Sequence, residues 1–224
     1  MATILRTRLT LAPRRSFVQQ QITQSRRMTS HKTEDPYKAK ATENLPDKKT
    51  QFDELYGIVD AIKTSMLTTR RSDGLLTSRA MNPTQRKGPD FTYFTNIHGD
   101  KTPEIQNDEH VNVSYVDPSS SNWVSVSGIA KISQDRNKIK ELYSPATKAW
   151  FGDLEDGVHD GGPEDPRIAL IEVKAHSINY WYSKGKLATV TEMVKGAITG
   201  ETAAPGSLRF LSEQDVEEAR KASR

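Results

Sequence analysis

In the first half of the chain, two cations and a hydroxyl have the types and spacing to hold a phosphate group. Arg79 stands late in the segment 75–82, Thr95 closes the segment 90–95, and Lys101 follows at the next turn. Arg and Lys bind phosphate oxygens through charge-assisted hydrogen bonds. Taken singly, Arg79 reads either as an exposed strand charge or as an inward ligand, and Lys101 as a solvated turn residue. Their combination at neighbouring strand ends suits one dianion, and so points to a phosphorylated cofactor.

The other chemistry-bearing residues are less specific. Trp123, Trp150 and Trp181 are the only tryptophans. Each is first a core candidate, since aromatic rings dominate core burial, and each also offers the flat apolar wall that a heterocyclic ring needs. Ser121, Ser125 and Ser127 read as the polar outward face of a strand, or as hydrogen-bonding partners for such a ring. No two of His31, His98, His110, His159 and His176 pair at metal-ligand spacing. With no Cys in the chain, disulfides, thiolate chemistry and Cys-based metal sites are excluded. Asp153, Glu155, Asp156, Asp160, Glu164 and Asp165 crowd one segment without the spacing of a calcium loop, so 152–166 reads as a solvated, mobile loop. Nucleophile–base signatures, a P-loop and a Gly-rich dinucleotide fingerprint are all missing.

The elements that must position Arg79 and Lys101 follow from periodicity. Phe52, Leu55, Tyr56, Val59 and Ile62 recur at helical spacing from Lys49 onward, with Asp47 or Thr50 as caps. Residues 65–71 and 75–82 are strands joined by Ser72-Asp73-Gly74, a turn signal because Gly accepts positive φ. A third strand is expected at 90–95, a short helix at 101–108, and strands at 110–117 and 122–133. Asp135 caps a helix that Pro145 ends, and a short element then carries Trp150 and Phe151. Residues 167–174 and 176–183 read as two further strands. The tail has a helix at each end with a Thr/Ala/Pro/Gly break between, and Ser212 and Asp215 stand at capping-box spacing. Short strands in hairpin order argue for a mainly β fold with flanking helices, a small antiparallel barrel, and not for a doubly wound parallel sheet.

The net charge of +3 is unevenly spread. Residues 1–33 hold Arg6, Arg8, Arg14, Arg15, Arg26, Arg27 and Lys32 and no acid, which leaves 25 basic against 29 acidic residues for the rest. The basic pI therefore marks a leader, not a nucleic-acid-binding face. An Arg-rich, acid-free, Ser/Thr-containing N-terminus reads as a mitochondrial transit peptide addressed to the matrix, or as a disordered basic arm. A start at Met28 would give a cytoplasmic form. The expected organisation is a leader at 1–33, a polar linker at 34–48, one folded domain at 49–185, and a helical tail at 186–224. No run approaches the length of a membrane-spanning helix.

The blocks LTTRRSDGLLTSRAM, FTYFTNIHGDK, NWVSVSGIAKISQD, LYSPATKAWF and INYWYS, in that order, resemble the pyridoxamine 5′-phosphate oxidase-like FMN-binding split-barrel family, and within it the general-stress-protein branch. The resemblance covers about residues 49–185. It implies a six-stranded antiparallel split β-barrel and a homodimer with FMN in clefts at the subunit interface. By position it assigns the FMN phosphate to Arg79 and Lys101. Ala80, Met81 and Asn82, with Phe94, Thr95 and Asn96, would line the flavin and ribityl chain. Trp181 and Trp150 would close the pocket from the partner subunit. The family's oxidases proper carry Arg-Leu-His where this chain reads Lys186-Leu187-Ala188, and Arg-Lys where it reads Asp100-Lys101. These departures argue against oxidation of vitamin B6. The function implied is a flavin-dependent oxidoreductase on a small substrate, or a non-catalytic flavin-binding stress or sensor module.

Overall fold

The computed structural model describes residues 35–223, and the leader expected at 1–33 lies outside them. Helix α1, Pro36–Ala41, is capped by Asp35, whose carboxylate accepts the Tyr37 N–H. It occupies part of the segment expected as a linker. Polar composition and two prolines hid it, yet one of those prolines stands in its first turn, where a missing N–H costs nothing. Helix α2, Lys48–Ile62, starts at Asp47, which accepts the Thr50 N–H at 3.0 Å. Its stripe of Phe52, Leu55, Ile58 and Val59 is buried against the sheet.

Among the described residues, eight antiparallel strands form one sheet in the order β2-β1-β5-β6-β7-β4-β3, with β8 also paired to β7. They are β1 Ser65–Arg70, β2 Leu76–Met81, β3 Gln85–Lys87, β4 Asp90–Asn96, β5 His110–Asp117, β6 Asn122–Ser133, β7 Ile168–Ser183 and β8 Gly206–Leu211. The class is the mainly β, antiparallel one expected, with two strands more than six. The short β3 lies between Pro83 and Pro89, which mask it in the sequence pattern.

The longest strand corrects a second expectation. Residues 167–174 and 176–183 are not two strands but the single β7, bulged where β6 slips register between Ser127 and Gly128. There Gly128 faces Ala175 while Ser127 faces Ser177, which leaves His176 as the extra residue. A Cβ on Gly128 would stand 2.4 Å from the Lys174 carbonyl oxygen, so only glycine fits. The bulge interrupts the period-two pattern without interrupting the strand.

Helix α3, Lys101–Asn107, lies between β4 and β5. Helices α4, Arg136–Leu142, and α5, Pro145–Phe151, follow β6, while α6, Lys186–Thr199, and α7, Glu213–Ala222, flank β8. The tail is thus not helical throughout. After the expected Thr/Ala/Pro/Gly break runs an unexpected strand, β8, paired along β7 from Ile178 to Ser183, and Val216 of α7 joins the main core. Arg220 of α7 is buried and donates to Asp90 of β4 at 2.6 and 2.9 Å and to the Ala175 carbonyl at 2.6 Å. The capping box at Ser212 and Asp215 forms.

The main core gathers Leu67, Tyr93, Val113, Val126, Ile171, Ile178 and Tyr180 beneath α2. A second cluster, Ile139, Ile168 and Leu170 with Phe94 against it, lies under α4. The acidic loop 152–166, expected as solvated and mobile, is folded around one cation. Arg167 is buried and donates to Asp165 and to the carbonyls of Phe151, Gly152 and His159. Those bonds hold the Asp165 carboxyl down to about 2. The other five acids of the loop face solvent.

Candidate functional site

Register decides where Arg79 points. It pairs with Leu67 of β1, and partners across an antiparallel ladder share a face. Leu67 is fully buried, so Arg79 faces inward. Its Nη1 donates to the Thr69 hydroxyl at 2.6 Å, and its Nη2 to Glu104 Oε2 of α3 at 2.9 Å. The Thr69 hydroxyl donates to the same carboxylate oxygen.

Lys101 opens α3 one turn before Glu104 and is half-buried. Burial lowers its ammonium pKa, and the nearby Arg79 guanidinium lowers it further. Among the described residues, Lys101 makes no ion pair or side-chain hydrogen bond. Asn96 builds the turn that delivers it: its side chain accepts the His98 N–H at 2.9 Å, and its carbonyl accepts the Gly99 N–H at 3.0 Å. A cavity of about 440 Å³ opens beside this cluster, lined by Arg71, Ser72, Thr77, Arg79, Asp100, Pro103 and Glu104, with Lys101 outside the lining. The fold therefore brings the Arg79 and Lys101 charges together, from a strand and a helix more than twenty residues apart.

The remaining sequence-derived candidates are scattered. Thr95 is buried near the end of β4, where its hydroxyl donates to the neighbouring Asn96 carbonyl at 3.4 Å. Phe94 points to the opposite face and packs on the second cluster. Ala80 and Asn82 are exposed on and after β2, and Met81 packs against the main core. Trp150, a core candidate by residue type, is 86% exposed on α5. Amphipathic spacing over a seven-residue helix was too short to assign its face.

Trp181 is 9% exposed. Tyr37 of α1 stacks on it at 5.9 Å with the rings 11° apart. From another side comes Gly206 of β8, where a Cβ would stand 2.6 Å from the indole. The glycine that reads as a breaker in the sequence is there to admit the ring. Trp181 lines a second cavity of about 590 Å³ with Tyr37, Trp123, Pro205 and Leu208, which shares no residue with the cavity at Arg79.

Thr69 and Glu104 escaped the sequence reading. The signal for Thr69 was present: counting back from the turn at Gly74 pairs it with Thr77, on the same face as Arg79. For Glu104 the only signal was its position one helical turn after Lys101. Among the described residues no cluster of His, Asp or Glu is placed to hold a metal ion, and no helix is long and apolar enough to cross a membrane.

Residues 50–204 match a family model described as pyridoxamine 5′-phosphate oxidase like. The protein bli-3 of Neurospora crassa is 41% identical over 193 residues, which cover 84% of this chain and 92% of that protein. A protein from Jannaschia sp. CCS1 described as a general stress protein 26 aligns with a TM-score of 0.56 at 19% identity, over 73% of this chain and 99% of its own. A Clostridium acetobutylicum protein related to general stress protein 26 of B. subtilis aligns with a TM-score of 0.55 at 17% identity, over 76% and 99%. The two structures share the fold with this chain.

Proposed function

This chain belongs to the pyridoxamine 5′-phosphate oxidase-like family, and from that premise we propose that it is a homodimeric flavoprotein holding FMN by its phosphate between Arg79 and Lys101. One observation carries the proposal. Two cations from separate elements share a partly desolvated site, where burial and then the Arg79 guanidinium disfavour the charge on Lys101. Holding like charges together costs free energy in the empty site, and a phosphate between them turns that cost into binding. The donor set fits the group: a forked guanidinium lining a cavity of about 440 Å³, and near it an ammonium that has no ion pair among the described residues.

Trp181 lies in a different cavity of the same copy. That separation agrees with a site completed across a dimer seam, where the aromatic wall for one phosphate cluster comes from the other subunit. When bound, FMN supplies electron-transfer chemistry. Arg79 and Lys101 anchor its tail, and buried Thr95 and Leu67 keep water from the floor of the strand ends. We extend the reading to a flavin-dependent oxidoreductase acting on a small substrate, with residues 1–33 as a mitochondrial import signal.

The test is direct. The full-length protein is purified, its visible spectrum recorded, and its oxidation of NADH and NADPH followed after loading with FMN. A flavin spectrum with turnover supports the oxidoreductase. A flavin spectrum without turnover on any donor supports a flavin-binding stress or sensor module instead. A colourless protein that takes up no added FMN ends both readings. Residues 1–33 fused to a fluorescent protein should stain mitochondria, and a diffuse cytosolic signal would remove the import reading.

A further inference from the structure

Glu104 stands where an incoming anion has to compete. Its Oε2 accepts from Arg79 Nη2 at 2.9 Å and from the Thr69 hydroxyl, and the Thr69 oxygen accepts from Arg79 Nη1 at 2.6 Å. The three side chains close a ring of hydrogen bonds around one guanidinium edge. Burial pushes the Glu104 carboxyl upward, but the bonds from Thr69 and Arg79 outweigh it and hold it below the usual carboxylate range. It is therefore charged at neutral pH. Arg71, also lining the cavity, is itself paired with Asp73 at 2.7 Å. Lys101 is left as the cation of this cluster with no carboxylate bonded to it.

We propose that Glu104 is the residue that sets affinity and charge selectivity at the phosphate site, acting as an internal anion that shares Arg79 with the ligand. The proposal rests on the phosphate reading above. A phosphate bound to the same guanidinium lies close to the carboxylate, and their repulsion grows with the ligand's charge. The site consequently tolerates one phosphate tail at moderate affinity and exchanges it, where a site with an unshared arginine would retain it. Thr69 keeps the carboxylate from swinging away, because it bonds both members of the pair.

The experiment compares FMN with riboflavin, the same ring without phosphate, by fluorescence quenching against the full-length wild type, Glu104→Gln and Glu104→Ala. Circular dichroism confirms folding of each variant. Gln keeps an acceptor for Arg79 and Thr69 and removes only the charge, so it separates competition from positioning. Glu104→Gln should bind FMN roughly tenfold tighter or more, about 1.4 kcal/mol, with riboflavin unchanged. FMN affinity that stays equal or weakens in Glu104→Gln overturns the proposal. Weakening in both variants would make Glu104 only a support for Arg79, which also overturns it. A different failure marks the underlying reading: a wild type that binds riboflavin and FMN equally, or neither, has no phosphate site at all.

Discussion

Replacing Lys101 by Met is the cleanest perturbation that the proposed phosphate site allows. Lys101 forms no ion pair or side-chain hydrogen bond among the described residues, so its loss strands no partner. Arg79→Ala lacks that simplicity, because it would leave Glu104 and Thr69 without their shared donor. A hydrogen bond to a charged group contributes about 1.5–3 kcal/mol. The ammonium is half-buried and partly screened by solvent, which places its share in the lower half of that range, about 1.5–2 kcal/mol. FMN should therefore bind roughly 10- to 30-fold more weakly to Lys101→Met, and riboflavin equally well, by fluorescence quenching or calorimetry. Stability should move the other way or not at all. The folded state holds the Lys101 pKa below its ordinary value, so it disfavours the protonated amine. That penalty is complete at neutral pH and is relieved only as the pH rises toward the amine's usual range. A neutral side chain removes it, and the melting temperature of Lys101→Met at pH 7 should equal or exceed that of the wild type. FMN affinity unchanged within twofold, or an equal loss for riboflavin, would refute the assignment.

Two further outcomes follow from the fold. Arg220→Ala removes a buried guanidinium that ties α7 to Asp90 and to the Ala175 carbonyl. It should cost about 3 kcal/mol, read from the urea midpoint, with α7 becoming sensitive to protease; a cost under about 1 kcal/mol would show the clamp to be dispensable. Asp165 is held down to about 2 by its hydrogen bonds with Arg167. A carboxyl depressed in the folded state contributes stability above its unfolded pKa, and loses it as the pH falls through the folded one. Acid unfolding should therefore steepen between about pH 4 and 2, and Asp165→Asn should flatten that portion. An identical acid profile for the two proteins would remove Asp165 from the account.

The hairpins were legible in the sequence because two signals agreed there, period-two alternation and turn residues. Strands β1, β2, β5 and β6 end within a residue or two of where Gly74 and the 117–122 turn place them. Where the signals conflicted, the reading failed in a particular way. At Gly128 the alternation of β7 skips one residue, and a bulge looks like a break when the partner strand is unknown. At Gly206 the residue that suggests a turn is required by the width of an indole ring. The fold brings the charges of Arg79 and Lys101 together, and both residues carried enough chemistry to be singled out by type. Glu104 did not, since an acid on a short polar helix resembles any solvated charge until the strand facing it is known. Trp181 stood out by residue type as a core candidate, but its cover by Tyr37 needed a pairing across more than a hundred residues, which no local pattern reports.

The unequal lengths of β7 and its neighbours bear on how the chain is made. One flank of β7 is filled by β6 along its length, while the other is shared between β4 in the first half and β8 in the second. During synthesis β4 is already present when β7 emerges, but Gly206–Leu211 comes later, and Arg220 later still. Until those residues leave the ribosome, the stretch from Ile178 to Ser183 offers bare amide and carbonyl groups to any nascent neighbour. A stop codon shortly after α6 would make that exposure permanent, yielding a polypeptide with Arg79 and Lys101 translated and its sheet left adhesive.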